Sequence, residues 1–217
     1  PTVEKKIVSD ADSKEHDAAD SQIGQDVTYN LYGTVAENFD EYDTYFYQFS
    51  DKISKGLTLR KGAKVYLYEN RTDAKGDLAR AKGTDITANF KEETPAEAAE
   101  DGSKTTTWTC DNLKMVSDVT KDSYIVVSYK AQINKDAVVA GTKGNENTVT
   151  LNYSNNPMTS TRGETQPDTV KDYTYGLKIN KVDLGTEKAL KDAKFTITTK
   201  GDESSTNVKY VKEDGTL

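Results

Sequence analysis

The chain has 217 residues, of which 34% are hydrophobic and 30% charged, so its core is thin and built from alternating positions. A net charge of -7 argues against nonspecific binding to nucleic acid or acidic membranes, and no apolar run is long enough to span a bilayer. One cysteine, Cys110, rules out an intramolecular disulfide, and one histidine, His16 in the polar stretch DSKEHDAAD, leaves no Ser-His-Asp, Cys-His or multi-histidine zinc site.

The first element is PTVEKKIV, where Val3, Lys5 and Ile7 share one parity. Alternation returns in DVTYNLYGTV (Val27, Tyr29, Leu31) and in TYFYQFSD (Tyr45, Tyr47, Phe49), whose apolar face continues to Asp51. AKVYLYE places Val65, Leu67 and Glu69 together. TPAEAAEDG offers Thr94 as an N-cap, Pro95 at the first helical position and Gly102 as a stop, so it reads as one or two helical turns or as an acidic loop. TTTWTC, with Cys110 as a packed thiol, and SYIVVSYKAQI are further strands. NTVTLNYS sets Val149, Leu151 and Tyr153 on one face, and the next residue of that parity is Asn155. Turn-prone KGD, EDG, KGNEN and ENFDEYD lie between these runs, and so many short strands imply an antiparallel β-sandwich.

NNPMTSTRGETQPDTVKD has no periodicity and holds two of the four prolines, which reads as a linker with a domain boundary near residues 160–172. A second unit follows, with Tyr175, Leu177, Ile179 and Lys181 of one parity in YTYGLKINKVD, then LGTEKALKDAKFTITTKG. The expected division is residues 1–163 and 172–217; the second unit is too short for a whole sandwich, so the chain reads as part of a longer mature protein. Within the first unit, residues 3–8 are expected to pair in parallel with residues 148–155.

Lys5, Asp51 and Asn155 each stand on an otherwise apolar face. Burying such groups singly costs roughly 1–3 kcal/mol for an amide and more for a charge, but together they have a chemistry. Burial drives a lysine toward its neutral, nucleophilic amine and an aspartic acid toward its protonated form. A protonated carboxyl beside an asparagine amide polarises its carbon, and an amine held about 3–3.5 Å away attacks with a large effective molarity. Ammonia leaves, and a Lys–Asn isopeptide bond remains.

These stretches resemble the backbone (major) pilins of Gram-positive bacteria, with their isopeptide-forming domains. The similarity lies in PTVEKKI, DVTYNLYGTV, YQFSDKISKGLTL and NTVTLNYSNNP, and YGLKINKVD with LKDAKFTI looks like the opening of a collagen-adhesin B-type domain. The resemblance implies an all-β chain of two tandem immunoglobulin-like sandwiches of the collagen-adhesin type, the second incomplete. It implies Lys5 on the first strand, Asn155 near the end of the last, and Asp51 as the assisting acid, with Lys6, Asn156 and Glu69 as alternatives. Lys181 matches the reactive lysine of the second unit, with its partners beyond Leu217. The implied protein is a structural shaft subunit of an extracellular, cell-wall-anchored pilus, and its chemistry is a single autocatalytic turnover without cofactor or metal. Its implied partners are neighbouring subunits joined head-to-tail, a sortase during assembly and a host-surface ligand, with no nucleic acid and no membrane in this segment. An alternative of similar fold is the stalk or ligand-binding domain of a surface adhesin that takes glycan or matrix protein. A secreted enzyme with a carboxylate pair is a third reading, set against the placement of most carboxylates in polar turns.

Overall fold

The computed structural model describes residues 1–176, 179–192, 194–198, 210 and 212. Two seven-stranded sheets pack face to face as an immunoglobulin-like sandwich. In chain order the strands are β1 (Val3–Val8), β2 (Glu15–His16), β3 (Ala18–Asp20), β4 (Asp26–Thr34), β5 (Tyr47–Ile53), β6 (Leu57–Leu59) and β7 (Lys64–Tyr68). After helix α1 (Arg71–Gly76) come β8 (Thr84–Asp85), β9 (Lys91–Glu93), β10 (Lys104–Cys110), β11 (Tyr124–Ile133), β12 (Asn145–Ser154), β13 (Arg162–Glu164) and β14 (Asp168–Tyr173). One sheet runs β2-β1-β4-β11-β7-β8 with β6 on β11; the other runs β3-β14-β12-β5-β10-β9 with β13 on β12.

Period-two alternation sorts the side chains as the sequence implies. Ile7, Tyr29, Leu31, Val65, Val127 and Tyr129 face inward from the first sheet; Tyr47, Phe49, Trp108, Val149, Leu151 and Val170 answer from the second. At Gly33 the two layers approach closely: a Cβ there would lie 2.2 Å from the Tyr47 hydroxyl and 2.7 Å from the Phe49 ring. A glycine is therefore required on the inward face of β4.

Two expectations are corrected, and one that the sequence leaves open is decided. β1 does not pair with β12: it lies antiparallel to β4, with Lys5 opposite Leu31, and β12 belongs to the other sheet. The strand at the open side of β12 is β14, antiparallel, with Asn147 opposite Val170. The stretch read as a linker thus supplies β13 and β14, and the first sandwich runs through Tyr173. Its polar composition fits short strands at the side of the sheet with one face toward solvent, and in β14 only Val170 and Asp172 are buried. Residues 94–103 form turns, with Ala99 N donating to Ser103 O and Gly102 N to Ala99 O, and no helix. The helix is at 71–76, capped by the Asn70 side chain, which accepts from Asp73 N at 3.0 Å.

Beyond residue 174 the described residues make a short hairpin contact, Val182 opposite Ala189, around an Asp183 turn whose carboxylate accepts from Gly185 N and Thr186 N. Lys181 is exposed there, not directed into a core. Leu177, read as part of that strand, lies outside the described residues.

Candidate isopeptide site

Lys5 is wholly buried because β1 keeps its parity with Ile7 and the neighbouring β4 residue is Leu31. Asp51 reaches the same place from β5 in the facing sheet, and its side chain is also buried. The Lys5 ammonium contacts Asp51 Oδ1 directly. Lys5 Nζ also donates to the Tyr129 hydroxyl at 3.1 Å, and that hydroxyl donates to Asp51 Oδ2 at 2.5 Å. Tyr129 is fixed by stacking on Tyr29 and Trp108, with ring centroids 5.4 and 5.3 Å away. The main chain is held as well: Lys5 N donates to Asp168 Oδ2 on β14 at 2.6 Å.

The fourth group is Asn147. Its side chain is fully buried, and its Nδ2 donates to the Tyr129 hydroxyl at 2.6 Å. Its Oδ1 is buried without a hydrogen-bond partner among the described residues. An unpartnered buried carbonyl is costly and calls for an explanation. The amine of Lys5 and the amide of Asn147 are separated by no more than two hydrogen bonds that meet at one oxygen.

The electrostatics suit an amine nucleophile. Burial, partly offset by the Asp51 and Asp168 charges, lowers the Lys5 pKa to about 8. Burial and the adjacent Asp51 charge push the Tyr129 phenol well above its ordinary value, so it stays neutral.

Asn155 is not in this cluster. β12 ends at Ser154, and Asn155 is exposed, its Oδ1 accepting from Thr161 Oγ1 at 2.7 Å. It stands eight residues along the chain from Asn147, about 27 Å at the rise of an extended strand. Asn156 is likewise exposed. Glu69, the alternative acid, is exposed at the end of β7, and Lys6 points outward to Glu4 and Asp17. The sequence reading thus brings Lys5 and Asp51 together, but its asparagine, Asn155, lies just past β12 and outside the cluster, and Tyr129 is passed over. The missing signal was present: Asn147 has the same parity as Val149 and Leu151, at the other end of the same strand.

Among the described residues there is no cluster of His, Cys, Asp and Glu suited to a metal ion, and no helix long and apolar enough to cross a membrane.

Comparison with known proteins agrees with this architecture. Residues 23–157 match the family model described as Gram-positive pilin backbone subunit 2, Cna-B-like domain. The fold is similar to the 35 kDa C-terminal fragment of the major pilin GBS80 of Streptococcus agalactiae, with TM-score 0.58 and 19% identity over 87% of this chain and 60% of that one. It is also similar to the T6 backbone pilin of serotype M6 Streptococcus pyogenes, with TM-score 0.56 and 20% identity over 99% of this chain and 44% of that one. BcpA, the major pilin subunit of Bacillus cereus, gives TM-score 0.51 and 17% identity over 99% of this chain and 53% of that one. The chain therefore spans only about half of these relatives' lengths. No curated protein matches it. With the family model spanning more than half of the chain, this protein belongs to the Gram-positive pilin backbone subunits.

Proposed function

We propose that this chain is a segment of a pilus shaft whose first sandwich is locked by an autocatalytic isopeptide bond from Lys5 Nζ to Asn147 Cγ, with Asp51 as the assisting acid. The observation that carries this reading is the meeting of all three side chains at the Tyr129 hydroxyl inside the core. Proton transfer from Lys5 to Asp51 across their contact yields a neutral amine and a carboxylic acid. The amine then attacks Asn147, and ammonia leaves. The surrounding aromatic rings exclude water, so hydrolysis does not compete.

The mechanical consequence follows from the topology. β1 lies in one sheet and β12 in the other, so the bond would staple the two layers through the core. Tension entering near residue 1 and leaving past β14 would bypass the chain between residues 5 and 147. Subunits of this kind would join head-to-tail through a sortase in an extracellular, cell-wall-anchored fibre. Unlike a disulfide, the bond is indifferent to reductants, which suits a chain with one buried cysteine.

The test is the intact mass of the purified chain, which should be one ammonia below the sequence mass, with a branched tryptic peptide joining Lys5 to the segment that holds Asn147. An unmodified mass, with Lys5 open to an amine reagent after denaturation, would refute the reading.

A further inference from the structure

The site contains a fourth polar group that the reaction as described does not use. Tyr129 Oη is, among the described residues, the one atom hydrogen-bonded to Lys5, Asp51 and Asn147 together. No hydrogen bond joins Asp51 to Asn147 directly; the acid and the amide communicate through the phenol. The atom of Asn147 that meets the phenol is Nδ2, the nitrogen that must depart. We infer that Tyr129 is the proton relay of isopeptide formation, passing the proton of Asp51 to the leaving nitrogen of Asn147. This rests on the Lys5–Asn147 bond proposed above.

The direction of the relay follows from the chemistry at its two ends. At rest Asn147 Nδ2 donates to Tyr129 and Tyr129 donates to the Asp51 carboxylate. Transfer of a proton from Lys5 turns Asp51 from acceptor into donor. Attack by the Lys5 lone pair on Cγ moves the carbonyl π pair onto Oδ1 and ends amide resonance, so Nδ2 gains a lone pair and becomes an acceptor. Both neighbours of the hydroxyl thus reverse polarity in the same sequence of events. The hydroxyl, which both donates and accepts, then gives its proton to Nδ2 and takes one from Asp51. The C–N bond breaks, the Oδ1 pair restores the carbonyl, and ammonia leaves. The former lysine nitrogen loses its surplus proton to the Asp51 carboxylate. Of the five hydrogens on the ammonium and the amide, three leave in ammonia, one stays on the new amide and one remains on Asp51. No oxidant, metal or other reactant is needed.

The ring stays in place by stacking on Tyr29 and Trp108, not by its hydroxyl, so the hydroxyl can be removed with the packing kept. The experiment uses the full chain made by cell-free synthesis, held unfolded in urea and diluted to start folding, with linkage followed by intact mass. Wild type should lose one ammonia; Tyr129→Phe should reach a native circular dichroism spectrum but link at least about 100-fold more slowly, the usual scale of a lost general acid. A difluorotyrosine placed at position 129, with a more acidic hydroxyl of nearly the same size, should link at a clearly altered rate, and it decides the matter if Tyr129→Phe does not fold. Linkage of Tyr129→Phe within a few-fold of wild type would overturn the relay while leaving the Lys5–Asn147 bond standing. So would an unchanged rate with the fluorinated side chain. A wild-type chain that never loses ammonia would overturn both.

Discussion

Asn147, inside β12, and Asn155, just past its end, make opposite predictions and separate cleanly. Asn147→Ala removes the buried amide that meets Tyr129, whereas Asn155→Ala removes an exposed one that only accepts from Thr161. A bond from residue 5 to residue 147 closes a loop of about 140 residues, which in the chain-entropy model of a crosslink contributes about 5 kcal/mol. For a domain of this size each kcal/mol moves the melting temperature by about 2–4 °C, so Asn147→Ala should melt about 10–20 °C below wild type. The lost hydrogen bond to Tyr129 adds about 1 kcal/mol to that difference. Thermal unfolding by circular dichroism, paired with intact mass, reads both consequences. Asn147→Ala should have the full sequence mass and the lower melting temperature; Asn155→Ala should remain one ammonia light and melt close to wild type. A light Asn147→Ala chain, or an Asn155→Ala chain of full mass, would refute the placement of the bond at Asn147.

Asp51→Asn keeps the size of the side chain and an oxygen for Tyr129 but cannot take the lysine proton; mass spectrometry should find this variant folded and unlinked. The rate of linkage in a refolding chain should fall as pH rises through about 8: the Lys5–Asp51 pair needs one shared proton to form the carboxylic acid, and it loses that proton at the lowered pKa of Lys5. A rate that climbs through the same range would mean that free amine alone limits the reaction. Asp172, buried on β14 with Ser21 Oγ donating to it at 2.7 Å, has its pKa raised to about 7, chiefly by burial. A carboxyl with a folded pKa above its unfolded value holds its proton longer in the native state, so it costs stability as pH rises from about 4 to 7. Asp172→Asn should therefore stabilise the sandwich at neutral pH, by up to about 4 kcal/mol in urea unfolding, and give no gain near pH 4; an equal gain at both would refute the titration argument.

The sequence alone carried the sandwich and two members of the site. Period-two alternation fixed which face of each strand is buried, and this sufficed to send Lys5 and Asp51 into the core, because a strand offers a side chain only two directions. The same rule marked Asn147, Asn155 and Asn145 equally, since all share the parity of Val149 and Leu151. Parity cannot say how far along a strand the burial extends. That depended on where β12 meets its neighbours: Asn147 is covered by β5 and β14, opposite Ile53 and Val170, while Asn155 lies past the end of the ladder. Tyr129 was hidden for another reason. It sits among apolar residues of β11 at a position any core tyrosine would occupy, and only the approach of β1, β5 and β12 from both sheets gives its hydroxyl three partners. The polar stretch after Pro157 was misread because local composition reports solvent exposure, and a strand with one wet face is nearly as polar as a linker. Its membership of the sandwich was decided by long-range pairing to β12 and β3, to which local sequence is blind.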